Sequence, residues 1–157
     1  MKKLIVFVLF ALGISFATPA NADNPHWLAG ATNATLEADW ILTVDFALAG
    51  LGNTLVDTEV DVTANATAMW ECRTKSGNTP KDPKKTVVAG PVVAGGVFAN
   101  DGNGNVSGTL VLYPPGVDPD FCPSGQVETL TSATYQHVTL RNVFAGLYFL
   151  GDFSTSL

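Results

Sequence analysis

From Val56 to Cys72 the chain alternates between two kinds of residue. Val56, Thr58, Val60, Val62, Ala64, Ala66, Ala68, Trp70 and Cys72 fall on one parity. Asp57, Glu59, Asp61, Thr63, Asn65, Thr67 and Glu71 fall on the other, with Met69 as the one apolar exception. Side chains of a strand point to opposite faces with a period of two, so this run predicts antiparallel β structure with one dry and one wet face. The dry face carries Cys72 into the core.

The rest of the chain follows the same rule. Trp27 to Glu37 reads as a first strand. Asp39 to Ala47 reads as a second, with Trp40, Leu42, Val44 and Phe46 on one face. Ala49 to Asn53 is a glycine-rich turn, and the run from Leu55 to Arg73 is long enough to predict a bend near Ala64. Thr86–Ala99 and Asn105–Tyr113 read as a hairpin around the Asn100–Gly104 turn. Gln126 to Asn142 is another long strand whose apolar parity slips, which predicts a bulge near Gln136 or His137. Val143 to Phe153 forms a hydrophobic last strand. No window carries apolar residues at helical spacing with a cap. The pattern predicts an all-β fold, an immunoglobulin-like antiparallel β-sandwich of about seven strands.

The first residues break the pattern and read as an address. Lys2 and Lys3 precede an apolar stretch from Leu4 to Ile14, too short to span a bilayer. Ala20-Asn21-Ala22 gives a small-x-small cleavage site, so residues 1–22 are read as a secretory signal and 23–157 as one domain. The competing reading is a retained anchor; the short apolar stretch and the cleavage site weigh against it. No later apolar run is long enough for a transmembrane helix. The expected location is extracellular, or periplasmic in a Gram-negative host.

Cleavage removes two of the 8 basic residues, leaving 6 against 14 acidic ones and a charge of −8. That balance argues against nucleic acid and anionic membranes as partners. Cys72 and Cys122 are the two cysteines of the chain, and export predicts that they form a disulfide. Zinc needs more Cys and His than stand near this pair.

Candidate chemistry is sparse. The loop after Cys72 holds Arg73, Lys75, Lys81, Lys84 and Lys85, five of the six cations beyond the signal. It is the candidate site for an anionic ligand, set against its plainer role as a solvated connection. Asp101-Gly-Asn-Gly-Asn105 spells the first three ligand positions of a calcium loop, but Val106 and Leu112 stand where a glycine and a bidentate Glu belong. The turn therefore predicts no metal. Asp57, Glu59 and Asp61 are spaced like a glycosidase pair yet share a wet face, which does not raise a pKa. His26 and His137 belong to no catalytic motif, and no residue is a catalytic candidate. Trp40 and Trp70 lie on apolar parities, whereas Trp27 is expected to keep an open face.

Several segments also look alike to those of a wider group. Asn24-Pro-His-Trp27, Ala49-Gly-Leu-Gly52, Ala66-Thr-Ala-Met-Trp-Glu-Cys72, Gly77-Asn-Thr-Pro80, Cys122-Pro-Ser-Gly-Gln126 and Leu130-x-Ser-Ala-Thr-Tyr135 occur in order. With them the chain resembles a group of small secreted disulfide-containing β-sandwich proteins without an assigned activity. The resemblance implies export, the disulfide and the β fold, and it transfers no catalytic residue. Arg73-Thr-Lys-Ser76 departs from the more neutral stretch usual in that group.

The sequence therefore predicts a non-catalytic secreted domain, without cofactor, that binds an extracellular glycan or protein. Two other classes compete with it. One is a self-assembling envelope or matrix subunit that uses the hydrophobic last strand, and the other is a small hydrolase. A flat surface with an open C-terminal edge favours assembly, and a deep pocket joining two carboxylates favours the enzyme.

Overall fold

In a computed structural model of the protein, residues 23–52 and 57–154 are described. The expected signal segment 1–22 and the start of the long strand at Leu55 and Val56 lie outside them. The described chain is built from eight strands: β1 (Asp23–Trp27), β2 (Asn33–Leu36), β3 (Leu42–Leu51), β4 (Thr58–Thr74), β5 (Lys85–Phe98), β6 (Val106–Leu112), β7 (Gln126–Asn142) and β8 (Gly146–Ser154). They form two antiparallel sheets, the sandwich that the alternation predicts. No helix among the described residues is long and apolar enough to cross a membrane.

In the first sheet β3 is central. β1 and β2 pair with successive parts of one edge of β3, and β6 pairs along the other. The expected first strand is thus two, separated by a short 3-10 turn at Ala29–Ala31. Thr32 marks the switch, because its hydroxyl accepts the Ala47 N–H at 3.2 Å where the ladder is interrupted. The second sheet has the order β5-β4-β7-β8. Leu42, Val44, Phe46 and Leu48 of β3 face Val60, Val62, Ala64 and Ala66 of β4 and Ala133, Tyr135, Val138 and Leu140 of β7 in one core.

β5 and β6 are not the arms of a hairpin, since β5 pairs with β4 and β6 with β3. The Asn100–Gly104 turn carries the chain from one sheet to the other. Leu51 donates to the Gly104 carbonyl at 3.0 Å, and a Cβ on Gly104 (φ +86°) would meet the Gly52 backbone. Only glycine fits there. Trp27, expected to keep an open face, is 9% exposed, with Phe46 and Tyr148 ring centroids at 6.2 and 6.0 Å. Trp70 is half-buried under the proline-rich crossing, where its indole donates to the Pro115 carbonyl at 3.0 Å.

The register of β4 against β7 shifts between Thr63 and Asn65 because β7 carries the extra residue there, while β4 pairs with β5 without a break from Thr58 to Glu71. Other expectations are met closely. β7 bulges between Tyr135 and Val138, and His137 adopts φ 54° there. Cys72 and Cys122 are bonded, with Cα atoms 5.5 Å apart, tying the end of β4 to the crossing between β6 and β7.

Candidate functional site

The basic loop does not gather its cations into one patch. Arg73 and Lys85 turn to the same carboxylate, Glu71, at 3.6 and 3.8 Å. Glu71 is buried, so these two charges are taken up in holding it. Lys84 lies over the Phe121 ring at 4.6 Å and donates to the Phe121 carbonyl at 2.7 Å, clasping the loop beside the disulfide. Lys75 and Lys81 are exposed and have no hydrogen-bond or ion-pair partner among the described residues. Two of the five predicted residues remain available to an anionic ligand.

The other candidates are accounted for by local structure. The Asp101 carboxylate accepts from Asn103 N, Asn105 N and Asn105 Nδ2 at 2.7, 3.0 and 2.9 Å. These bonds, that from the Asn105 side chain foremost, hold its pKa below the usual 3.8. Its oxygens cap the turn itself. Asp61 pairs with Arg141 across β4 and β7 at 2.7 Å, which raises the arginine pKa further. Gly95 of β5 leaves the space that this carboxylate fills. Glu59 and Asp57 are exposed. Among the described residues no group of three or more His, Cys, Asp or Glu is placed to hold a metal ion. An open hollow of about 520 Å³ lies at the β2–β3 turn, lined by Glu37, Ala38, Asp39, Ile41 and Thr43.

The feature that stands out is the corner where β7 turns into β8. Asn142 builds it. Its buried side chain donates through Nδ2 to Thr58 Oγ1 and to the Glu59 carbonyl, both at 2.8 Å. Its Oδ1 accepts from Phe144 N at 2.9 Å and Ala145 N at 3.1 Å, an Asx turn. The turn so fixed presents Val143 and Phe144 to solvent, 78% and 55% exposed. Leu147 and Phe149, on the outer face of β8, are 71% and 61% exposed. The inner face of the same strand packs Tyr148, Leu150 and Phe153 against the core.

No family model, no curated protein and no solved structure matches the chain.

β8 pairs with β7 on one side and is the edge of its sheet on the other. An edge strand leaves a row of N–H and C=O groups unpaired. The opposite edge, β5, also shows exposed apolar side chains at Val87, Val93 and Val97. That edge carries Pro91 mid-strand and Lys85 at its start, two devices that discourage pairing. β8 carries neither. Sequence reasoning identified a hydrophobic last strand but not Asn142 or the exposed corner. The available signal was Leu147-Tyr-Phe-Leu150, apolar on both parities where a half-wet strand alternates.

Proposed function

We propose that the protein is a non-catalytic exported recognition domain that docks the apolar, extended segment of another polypeptide at the β7–β8 corner. The observation that carries this reading is the union of four large exposed apolar side chains with a strand edge that is regular and uncharged over Gly146–Phe149. Contiguous apolar surface of this kind marks protein contact sites, and a strand edge supplies main-chain hydrogen bonds. Export rests on the basic, apolar and small-residue order of residues 1–22, and the disulfide fits an oxidising compartment.

The test compares three forms of the chain from Asp23 onward: the parent, Leu147→Lys/Phe149→Lys, and Lys75→Gln/Lys81→Gln. Each is immobilised and exposed to cell-surface proteins and to anionic cell-wall glycans. The expected result is protein retention that persists at high salt and disappears with the β8 variant. Retention of anionic glycan instead, lost at high salt and with the lysine variant, overturns the reading in favour of the basic loop.

A further inference from the structure

We propose that the polypeptide docked at this corner is a second copy of the chain, joined by antiparallel pairing of β8 with β8 about a two-fold axis. The proposal rests on the docking reading above and names its partner.

The register follows from where β8 is regular. The strand leaves the turn at Gly146 and is broken at Gly151, whose φ is +114°. The uninterrupted ladder is Gly146–Phe149, and Tyr148 is the axis position within it that opposes Leu147 to Phe149. An axis at Tyr148 sets Leu147 of each copy opposite Phe149 of the other. Residues directly opposed in an antiparallel pair share a face, and Leu147 and Phe149 both stand on the outer face. Two Leu–Phe cross-strand pairs form, flanked by Val143 and Phe144. A symmetric edge of this kind is complementary to itself, as an isologous interface requires.

Patch size and charge agree with a second copy. The four side chains at these exposures offer on the order of 500 Å² per copy, near the upper end for a monomer's largest patch. Strand pairing covers the edge backbone and the flanks of Leu147 and Phe149, so the contact is small and main-chain hydrogen bonds carry much of it. The stretch Gly146–Leu150 contains no ionisable side chain other than the Tyr148 phenol. The nearest carboxylate along the chain, Asp152, accepts the His137 N–H at 2.7 Å. In this register it lies opposite Phe144 of the other copy rather than opposite its own counterpart. Repulsion between the copies then comes from net charge at a distance, which salt screens.

The experiment is sedimentation analysis of residues 23–157 across the micromolar range, at low and high salt. A dimer that tightens as salt rises is expected. Phe149→Lys should weaken it about tenfold or more by placing charge in the edge pair, while Val93→Lys on β5 should leave it unchanged. Circular dichroism confirms that each variant is folded. The register is tested separately by mixing Leu147→Cys and Phe149→Cys proteins under mild oxidation. The mixture should cross-link several-fold faster than either alone. A monomer at every concentration, a dimer indifferent to Phe149→Lys, or equal cross-linking in all three samples overturns the proposal. If the parent is a monomer yet captures another protein that the β8 variant loses, the second copy is overturned and the docking reading stands.

Discussion

The Tyr135 hydroxyl, on β7 of one sheet, donates to the Trp40 carbonyl of the other at 2.8 Å. The Leu112 carbonyl lies 3.2 Å from the same oxygen. Trp40 sits at φ 68°, the third residue of a tight β2–β3 turn where glycine is usual. Its ring is nonetheless buried, so core packing holds the left-handed backbone and Tyr135 satisfies the carbonyl that this conformation turns inward. Tyr135→Phe should therefore lower stability by about 1–3 kcal/mol, read from urea unfolding.

The same phenol makes an alkaline prediction. Burial, then the charge of Asp39, pushes its pKa well above the ordinary 10.0. A raised pKa leaves its contribution intact below the unfolded value and removes it as pH climbs from there toward the folded one. Unfolding free energy should fall above pH 10, and the fall should be shallower in Tyr135→Phe.

Asn142 makes four hydrogen bonds at a buried position. Asn142→Ala leaves Thr58, the Glu59 carbonyl and the turn amides short of partners. It should lower stability by about 1–3 kcal/mol. Because the Asx turn sets Val143 and Phe144, it should also weaken any docking at the corner beyond what Val143→Ala does. Calorimetry and sedimentation read the two effects.

Gly108 of β6 leaves room for Phe98, whose ring meets Phe46 edge-on at 4.8 Å. A Cβ there would collide with the Phe98 ring and come within 3.0 Å of Phe46. Gly108→Ala should destabilise by about 1–3 kcal/mol through overpacking. Gly108→Ala with Phe98→Leu should recover part of that loss in thermal unfolding.

Cys72→Ser opens a loop of 50 residues and should lower stability by about 2–5 kcal/mol, with reduction of the parent doing the same. Chemical denaturation with and without reductant measures both.

Calcium should leave the thermal midpoint unchanged, because Asp101 spends its oxygens on the turn. Its lowered pKa stabilises the fold above the ordinary 3.8, and this is lost as pH falls through the lower folded value. Asp101→Asn should flatten that acid limb in a pH series of thermal midpoints. A calcium-specific rise abolished by the same substitution would contradict the assignment.

Much of this architecture was legible in period-two alternation, because a residue's face within a strand depends only on parity. That rule placed Cys72, Val60, Val62, Leu42 and Val44 in the core and the bulge at His137. Parity says nothing about which strand lies beside which. Thr86–Ala99 and Asn105–Tyr113 therefore read as a hairpin, although a glycine-rich turn serves equally to cross between sheets. Partners of charged side chains were equally invisible. Arg73 and Lys85 meet Glu71, and Lys84 meets Phe121, only because β4, β5 and the crossing converge. The exposed corner belongs to the same class. Leu147 and Phe149 are written in the sequence as core-like residues, and the order of strands alone left their face uncovered and their edge unpaired.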